Sequence, residues 1–243
     1  NPKSIGTYVV SVSNNNLDFS NPRTINVSGV IQISDAATFT CLEDISLISI
    51  KPSSGSIAGG TKVSLFIDKS VDSLMSTHQL NLSFCLFGDI EVTATWLNST
   101  TALCISPAFP QASSQKVKLS LNGNDMLPTV TSSESNKFNY MLIPRVLRLT
   151  PKVGSHLGGT MVYLTGSGFV VDVPLLCRFG LSTKVSVSAI FSSPSLIRCP
   201  SSANNSTEPV ELYLSINGID FFSTGKYFFY SDSLNMGSLT PTS

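Results

Sequence analysis

Charge is scarce in this sequence. Asp, Glu, Lys and Arg make up 12% of 243 residues, about half the usual quarter. The 15 basic residues balance the 15 acidic ones. A neutral chain has no electrostatic footprint for nucleic acid and no polybasic patch for a membrane surface. There are two histidines, His78 and His156, and one tryptophan, Trp96. C-x-x-C, H-E-x-x-H and G-x-S-x-G patterns are missing, which argues against zinc sites and most histidine-dependent catalysis. No apolar run approaches the roughly 18 residues of a membrane-spanning helix, so direct membrane insertion of this segment is not expected. The sequence opens at Asn1 with no secretory pattern after it. It is expected to be processed, or a window on a longer array.

Hydroxyls fill the space left by charge: 41 Ser and 20 Thr, a quarter of the chain. Apolar residues still make up 42%, enough for packed cores rather than disorder. Their arrangement alternates with period two, as in Val162-Tyr163-Leu164-Thr165 and Glu211-Leu212-Tyr213-Leu214-Ser215-Ile216. That is the pattern of strands with one buried face. Turn signals recur between them, and no segment holds a helical period.

An internal repeat with a period of 90 to 99 residues sets the organisation. Ile48–Thr61 reads ISIKPSSGSIAGGT and Leu147–Thr160 reads LRLTPKVGSHLGGT. Further on, Cys85-Leu86-Phe87-Gly88 matches Cys177-Arg178-Phe179-Gly180, and Cys104 matches Cys199. Leu119–Asp125 matches Leu214–Asp220, and Phe138-Asn139-Tyr140 matches Phe228-Phe229-Tyr230. Pieces of the same unit lie toward the ends, at Val12–Phe19, Phe39-Thr40-Cys41 and Leu239-Thr240-Pro241. The expected division is 1–44, the C-terminal part of one unit; 45–141 and 142–231, two whole units; and 232–243, a linker and the first strand of another. Each whole unit, with about seven short strands, is expected to be a two-layer antiparallel sandwich. Asn122-Gly123 and Asn217-Gly218 are expected to form type I′ turns, with positive φ at both positions.

I-x-P-x-x-G-x-x-x-G-G-T, then C-x-F-G, a second Cys before Pro, the Asn-Gly hairpin and F-x-Y together resemble the IPT/TIG immunoglobulin-like domain. The resemblance runs over essentially the whole chain. It implies an all-β fold of tandem immunoglobulin-like sandwiches with little or no helix. The family recurs in plexins, hepatocyte-growth-factor-receptor-like ectodomains and fibrocystin-like proteins. Gly166-Ser167-Gly168-Phe169 keeps the family's G-x-G-F. Ile67-Asp68-Lys69-Ser70 departs from it, so the loop there is expected to be rebuilt and longer.

As in the related ectodomains, one disulfide is expected in each sandwich, Cys85 with Cys104 and Cys177 with Cys199; the plainer alternative is pairs of buried thiols. Such bonds imply an oxidising compartment, hence an extracellular or cell-surface setting. Cys41 stands where the closing tyrosine should be. A buried thiol is its first reading, and a bond outside this segment or to another chain the next. Asn26, Asn81, Asn98, Asn204 and Asn205 each head an Asn-x-Ser/Thr sequon, the only non-protein groups expected being N-linked glycans. Asn204 and Asn205 overlap, so one of them is expected to be used. Linkers such as 129–135 offer hydroxyls for O-linked sugars.

Candidates for chemistry reduce to structure. The Gly-x-x-x-Gly-Gly-Thr stretch lacks the lysine of a phosphate loop and lies between strands. Asp18, Asp125 and Asp220 lack the further carboxylates a calcium ion needs and are read as hairpin caps. Trp96 is expected beside Cys85 and Cys104, and His156 on the surface. No enzyme is expected. The leading reading is a structural segment of an extracellular fibre, appendage or cell coat, self-associating or packing on neighbouring repeats of its own chain. A stalk or adhesion ectodomain of a cell-surface receptor is the alternative, and a carbohydrate-binding module a third. Other surface proteins or glycans are the further candidate partners.

Overall fold

A computed structural model describes residues 6–9, 23–27, 30–34, 38–41, 44–76, 79–129, 135–181 and 184–231. The Val12–Phe19 hairpin, His78 and the Leu239–Pro241 repeat lie outside these residues. The chain divides between Ser46 and Leu47. In the first unit, β1 (Gly6–Val9) pairs antiparallel with β4 (Thr38–Cys41), placing Gly6 opposite Cys41. Between them β2 (Arg23–Val27) pairs with β3 (Val30–Ser34).

The second unit contains two sandwiches of the same design. In the first, β5 (Leu47–Lys51), β7 (Lys62–Ile67), β10 (Thr95–Asn98) and β11 (Thr101–Ile105) form one sheet, ordered β10-β11-β7-β5. The facing sheet, ordered β6-β13-β12-β8-β9, uses β6 (Ser54–Ser56), β8 (Phe84–Phe87), β9 (Ile90–Thr93), β12 (Ser113–Ser120) and β13 (Lys137–Met141). The second sandwich repeats this strand for strand. One sheet is β14-β16-β20-β19, from β14 (Arg145–Thr150), β16 (Met161–Ser167), β19 (Ile190–Ser193) and β20 (Leu196–Pro200). The other is β15-β22-β21-β17-β18, from β15 (Val153–Ser155), β17 (Leu176–Phe179), β18 (Val187–Ser188), β21 (Val210–Ser215) and β22 (Phe222–Ser231).

Each sandwich thus has nine strands among the described residues, rather than about seven. The opening strand splits at Pro52 or Pro151. Before the proline it runs antiparallel in one sheet, and after it parallel to the closing strand in the other. Proline has no N–H to give a ladder, so it fits the crossing point between sheets. A short edge strand after the first cysteine, β9 or β18, supplies the other addition.

Alternation decides which side chains enter the core. On β7, Val63, Leu65 and Ile67 are buried; on β12, Val117 and Leu119; on β13, Phe138 and Tyr140. Their counterparts Val162, Leu164, Leu212, Leu214 and Phe228 are buried in the second sandwich. The closing aromatics pack edge to face in both: Phe87–Phe138 at 5.5 Å and Phe138–Tyr140 at 5.0 Å, Phe179–Phe228 at 5.2 Å and Phe228–Tyr230 at 5.0 Å. Ring pairs of this kind add about 0.5–1.5 kcal/mol beyond the area they bury.

The first sandwich departs from the second after Ile67. There α1 (Asp72–Ser76) and the 3-10 turn η1 (Gln79–Leu82) replace the Gly-Ser-Gly-Phe loop. Ser70 accepts the Asp72 N–H at 3.2 Å and so starts the helix. Val71, Leu74 and Leu80 point into the core, where the second sandwich buries Phe169.

The two closing tyrosines differ in one bond. Tyr230 donates its hydroxyl to the Ser202 carbonyl at 2.8 Å, whereas the buried Tyr140 hydroxyl has no hydrogen-bond partner. Burial pushes the Tyr140 phenol up to about 12. Opposite responses are expected. Tyr230→Phe should cost about 1 kcal/mol, while Tyr140→Phe should be neutral or stabilising by a similar amount, because it removes an unsatisfied buried group. As pH rises from about 10 toward about 12, the unfolded Tyr140 ionises and the folded one does not. Stability is therefore retained below about 10 and falls above it. Urea unfolding at pH 8 and pH 11 checks both points, and Tyr140→Phe should lessen the alkaline loss.

Candidate functional site

Cys85 on β8 and Cys104 on β11 are joined by a disulfide, with Cα atoms 6.3 Å apart. Cys177 on β17 and Cys199 on β20 are joined in the same way, again at 6.3 Å. All four lie in the core. Each bond ties one sheet of its sandwich to the other. Cys41 is placed by its backbone on β4; its side chain lies outside the described residues.

The Gly-Gly-Thr turn has the same bonds in both copies. Gly60 N–H donates to Ser106 O, and Gly159 N–H to Ser201 O, both at 2.8 Å. Thr61 N–H donates to Ser106 Oγ, and Thr160 N–H to Ser201 Oγ, both at 3.1 Å. The upstream glycine has a packing role. A β-carbon on Gly55 would collide with Thr61 Oγ1 and stand 2.7 Å from the Phe138 ring, and one on Gly154 would meet Thr160 and Phe228 in the same way. The motif thus seats a threonine and an aromatic ring on a bare Cα. It is a structural turn, with no cradle for phosphate.

The Asn-Gly-x-Asp hairpins are likewise duplicated, but they are not type I′ turns. Gly123 and Gly218 have positive φ; Asn122 and Asn217 do not. The asparagine side chain organises the loop instead. Asn122 Oδ1 accepts from Asn124 N–H at 3.0 Å and Asp125 N–H at 2.8 Å, and Asn217 Oδ1 accepts from Ile219 N–H and Asp220 N–H at the same distances. A side chain that satisfies two backbone donors removes the need for a left-handed asparagine. Asn122 Nδ2 donates to Asp125 Oδ2 at 2.9 Å, and Asn217 Nδ2 to Asp220 Oδ2 at 2.8 Å. Each aspartate therefore caps its hairpin. No group of three or more His, Cys, Asp or Glu able to hold a metal occurs among the described residues.

These two motifs meet where the sandwiches join. Thr61 Oγ1 of the first sandwich donates to Asp220 Oδ2 of the second at 2.6 Å. Asn217 Nδ2 of the second donates to Ser54 O of the first at 3.0 Å. The hairpin of one sandwich is thus plugged onto the Gly-Gly-Thr turn of the one before it. Sequence reasoning found both motifs but not their contact. The signal was the matched recurrence of the two motifs in each unit.

The sequons separate by exposure. Asn81, on η1, and Asn98, at the end of β10, are exposed. Asn205 is exposed, but its neighbour Asn204 is buried. Asn204 Nδ2 faces Phe179 O at 3.5 Å, and its Oδ1 accepts from Ser206 N–H at 2.9 Å. A glycan there would have to displace that amide from the folded domain, so of the two overlapping sequons the exposed Asn205 is the better placed to carry one. Asn26 lies on β2, its side chain outside the described residues. Trp96 is half-buried on the edge strand β10. Its ring N–H donates to Ser83 Oγ at 3.2 Å, and it lines a shallow cavity with Met75, Leu80 and Asn81. His156 is half-buried, with Nδ1 3.4 Å from Ser231 O.

Comparison with known families places the second sandwich, whose residues match the IPT/TIG domain model over 144–230. Residues 144–230 are an IPT/TIG domain. The sandwich before it shares the strand order, the disulfide and the turn geometry of this IPT/TIG domain. Among solved structures, the plexin A4 full extracellular region is similar over 77% of this chain, at 16% identity and a TM-score of 0.48. This chain spans 16% of that one. The surface glycan-binding protein PbSGBP-B from Prevotella bryantii is similar at 14% identity and a TM-score of 0.31, covering 77% of this chain and 42% of its own. The Escherichia coli adhesin FdeC is similar at 11% identity and a TM-score of 0.30, covering 86% and 72%.

Proposed function

We propose that this chain is a non-enzymatic structural segment of a tandem IPT/TIG repeat protein that forms or lines an extracellular fibre, appendage or cell coat. The observation that carries this reading is the joint. Two disulfide-tied sandwiches are connected by a short stretch, Leu142–Pro144, and held by hydrogen bonds from Thr61 to Asp220 and from Asn217 to Ser54. A linker this short, with side-chain bonds across it, resists bending, as successive units of a load-bearing array must. The disulfides favour an oxidising, extracellular compartment. Glycans on Asn81, Asn98 and Asn205 suit the same setting, and low charge with many hydroxyls lets neighbours pack closely without repulsion.

Electron microscopy of the protein purified from its native source is the test. Filaments or rods with a regular axial repeat are expected. Dispersed, compact particles that never assemble would overturn the fibre reading and leave the receptor-stalk alternative.

A further inference from the structure

Each sandwich carries both halves of the joint, yet only one socket and one plug are used between the two. The second sandwich offers a Gly-Gly-Thr turn, and the first an Asn-Gly-x-Asp hairpin, with the internal geometry of the pair already joined. Their exposures differ accordingly. Thr61 in the used socket is 1% exposed, while its counterpart Thr160 is only half-buried. Gly55 and Ser56 are buried where Gly154 and Ser155 are half-buried. In the used plug Asn217 is buried, whereas Asn122, Gly123, Asn124 and Asp125 are all exposed. The open socket presents two exposed apolar side chains, and has His156 where the used one has Ile57. Val153 and Leu157, 51% and 72% exposed, stand where the first sandwich has Ser54 and Ala58.

We propose that the 153–160 turn of the second sandwich is a docking surface for a further module of this kind, which delivers an Asn-Gly-x-Asp hairpin to Thr160 and to the backbone at Val153. The exposed Asn122–Asp125 hairpin is the matching plug, presented to the turn of a preceding module. The threonine hydroxyl donates to the incoming aspartate, and the asparagine amide donates to the carbonyl of residue 153. Val153 and Leu157 add apolar contact beside these hydrogen bonds. Because plug and socket lie on different surfaces, the contact is heterologous and repeats head to tail from module to module. The proposal deepens the structural reading above by naming the partner. It is separable from it, since a cross-link reads this one contact and microscopy reads the assembly.

The experiment uses two preparations of the full chain, both with Cys41→Ser. One carries Asn124→Cys, exposed in the hairpin, and the other Leu157→Cys, exposed on the rim of the turn, so that Asn122, Asp125 and Thr160 keep the groups that make the contact. They are mixed at near-millimolar concentration with a short bismaleimide. A chain carrying Ala58→Cys and Ile219→Cys together, the equivalent positions of the joint already made, serves as the internal control. The expected result is a cross-linked heterodimer about tenfold above that from Asp89→Cys with the same partner. If the control links internally while Asn124→Cys with Leu157→Cys does not exceed the Asp89→Cys background, the turn takes no second module. If the control itself fails to link, the joint from which the proposal is drawn is absent, and the proposal falls with it.

Discussion

Replacing Gly59 with alanine is expected to unfold the first sandwich, while the same change one residue on, at Gly60, leaves it folded. Both glycines have positive φ, 76° and 86°. An L-residue in that conformation costs about 1–2 kcal/mol, and Gly60→Ala should cost about that much, since a β-carbon there meets nothing within 4 Å. At Gly59 the β-carbon would stand 2.6 Å from Ala108 N and from Pro107 C, and 2.7 Å from Ser106 O. These are backbone atoms that no rotamer change can move. To make room, the turn must open and give up the bonds between Gly60, Thr61 and Ser106. The expected loss exceeds about 4 kcal/mol, a large part of a domain's stability. Gly158→Ala against Gly159→Ala should repeat the contrast in the second sandwich, where Ala203 N lies 2.7 Å from the added atom. Urea denaturation of the four variants checks it. Equal costs within each pair would mean that the turn is looser than described.

Removing one disulfide should give the second large effect, confined to its own sandwich. The Cys85–Cys104 bond closes a loop with a sequence separation of 19. Closing such a loop restricts the unfolded chain by about 3 kcal/mol. Replacing both cysteines with serine avoids leaving a lone thiol. For a domain near 100 residues, each kcal/mol moves the midpoint by about 4–8 °C, so the transition of the first sandwich should fall by roughly 12–24 °C. The second sandwich keeps Cys177–Cys199 and should unfold near its original temperature, separating two steps in calorimetry. A uniform fall of both steps would show that the sandwiches unfold as one unit and that the joint is stronger than its two side-chain hydrogen bonds.

Much of the fold was legible because it is written twice. Period-two alternation marked the strands, and the repeat fixed which residues are equivalent. What escaped the sequence depends on distances between segments. The crossing of the opening strand at Pro52 and Pro151 looks like an ordinary turn until both sheets are seen. The Asn-Gly pairs predict type I′ turns by local preference, but the aspartate three residues on and the backbone donors between recruit the asparagine side chain. Asn204 and Asn205 are adjacent and chemically equal in sequence; only the path of the loop turns one inward and the other outward. The helical insert of α1 and η1 was foreseen only as a loop of altered length, because Val71, Leu74 and Leu80 are too few to show a helical period. The joint was hidden for the same reason. Thr61 and Asp220 are 159 residues apart, and only the folded chain brings them together.

If the two sandwiches are tied by their disulfides and stand in an oxidising compartment, peptide mapping of the unreduced protein from its native source, alkylated before digestion, should give linked peptides joining Cys85 to Cys104 and Cys177 to Cys199, with sugar on Asn81, Asn98 and Asn205 and none on Asn204. Alkylated, unlinked thiols at those four cysteines, with unmodified asparagine at every sequon, would place the chain in a reducing compartment and leave both sandwiches untied.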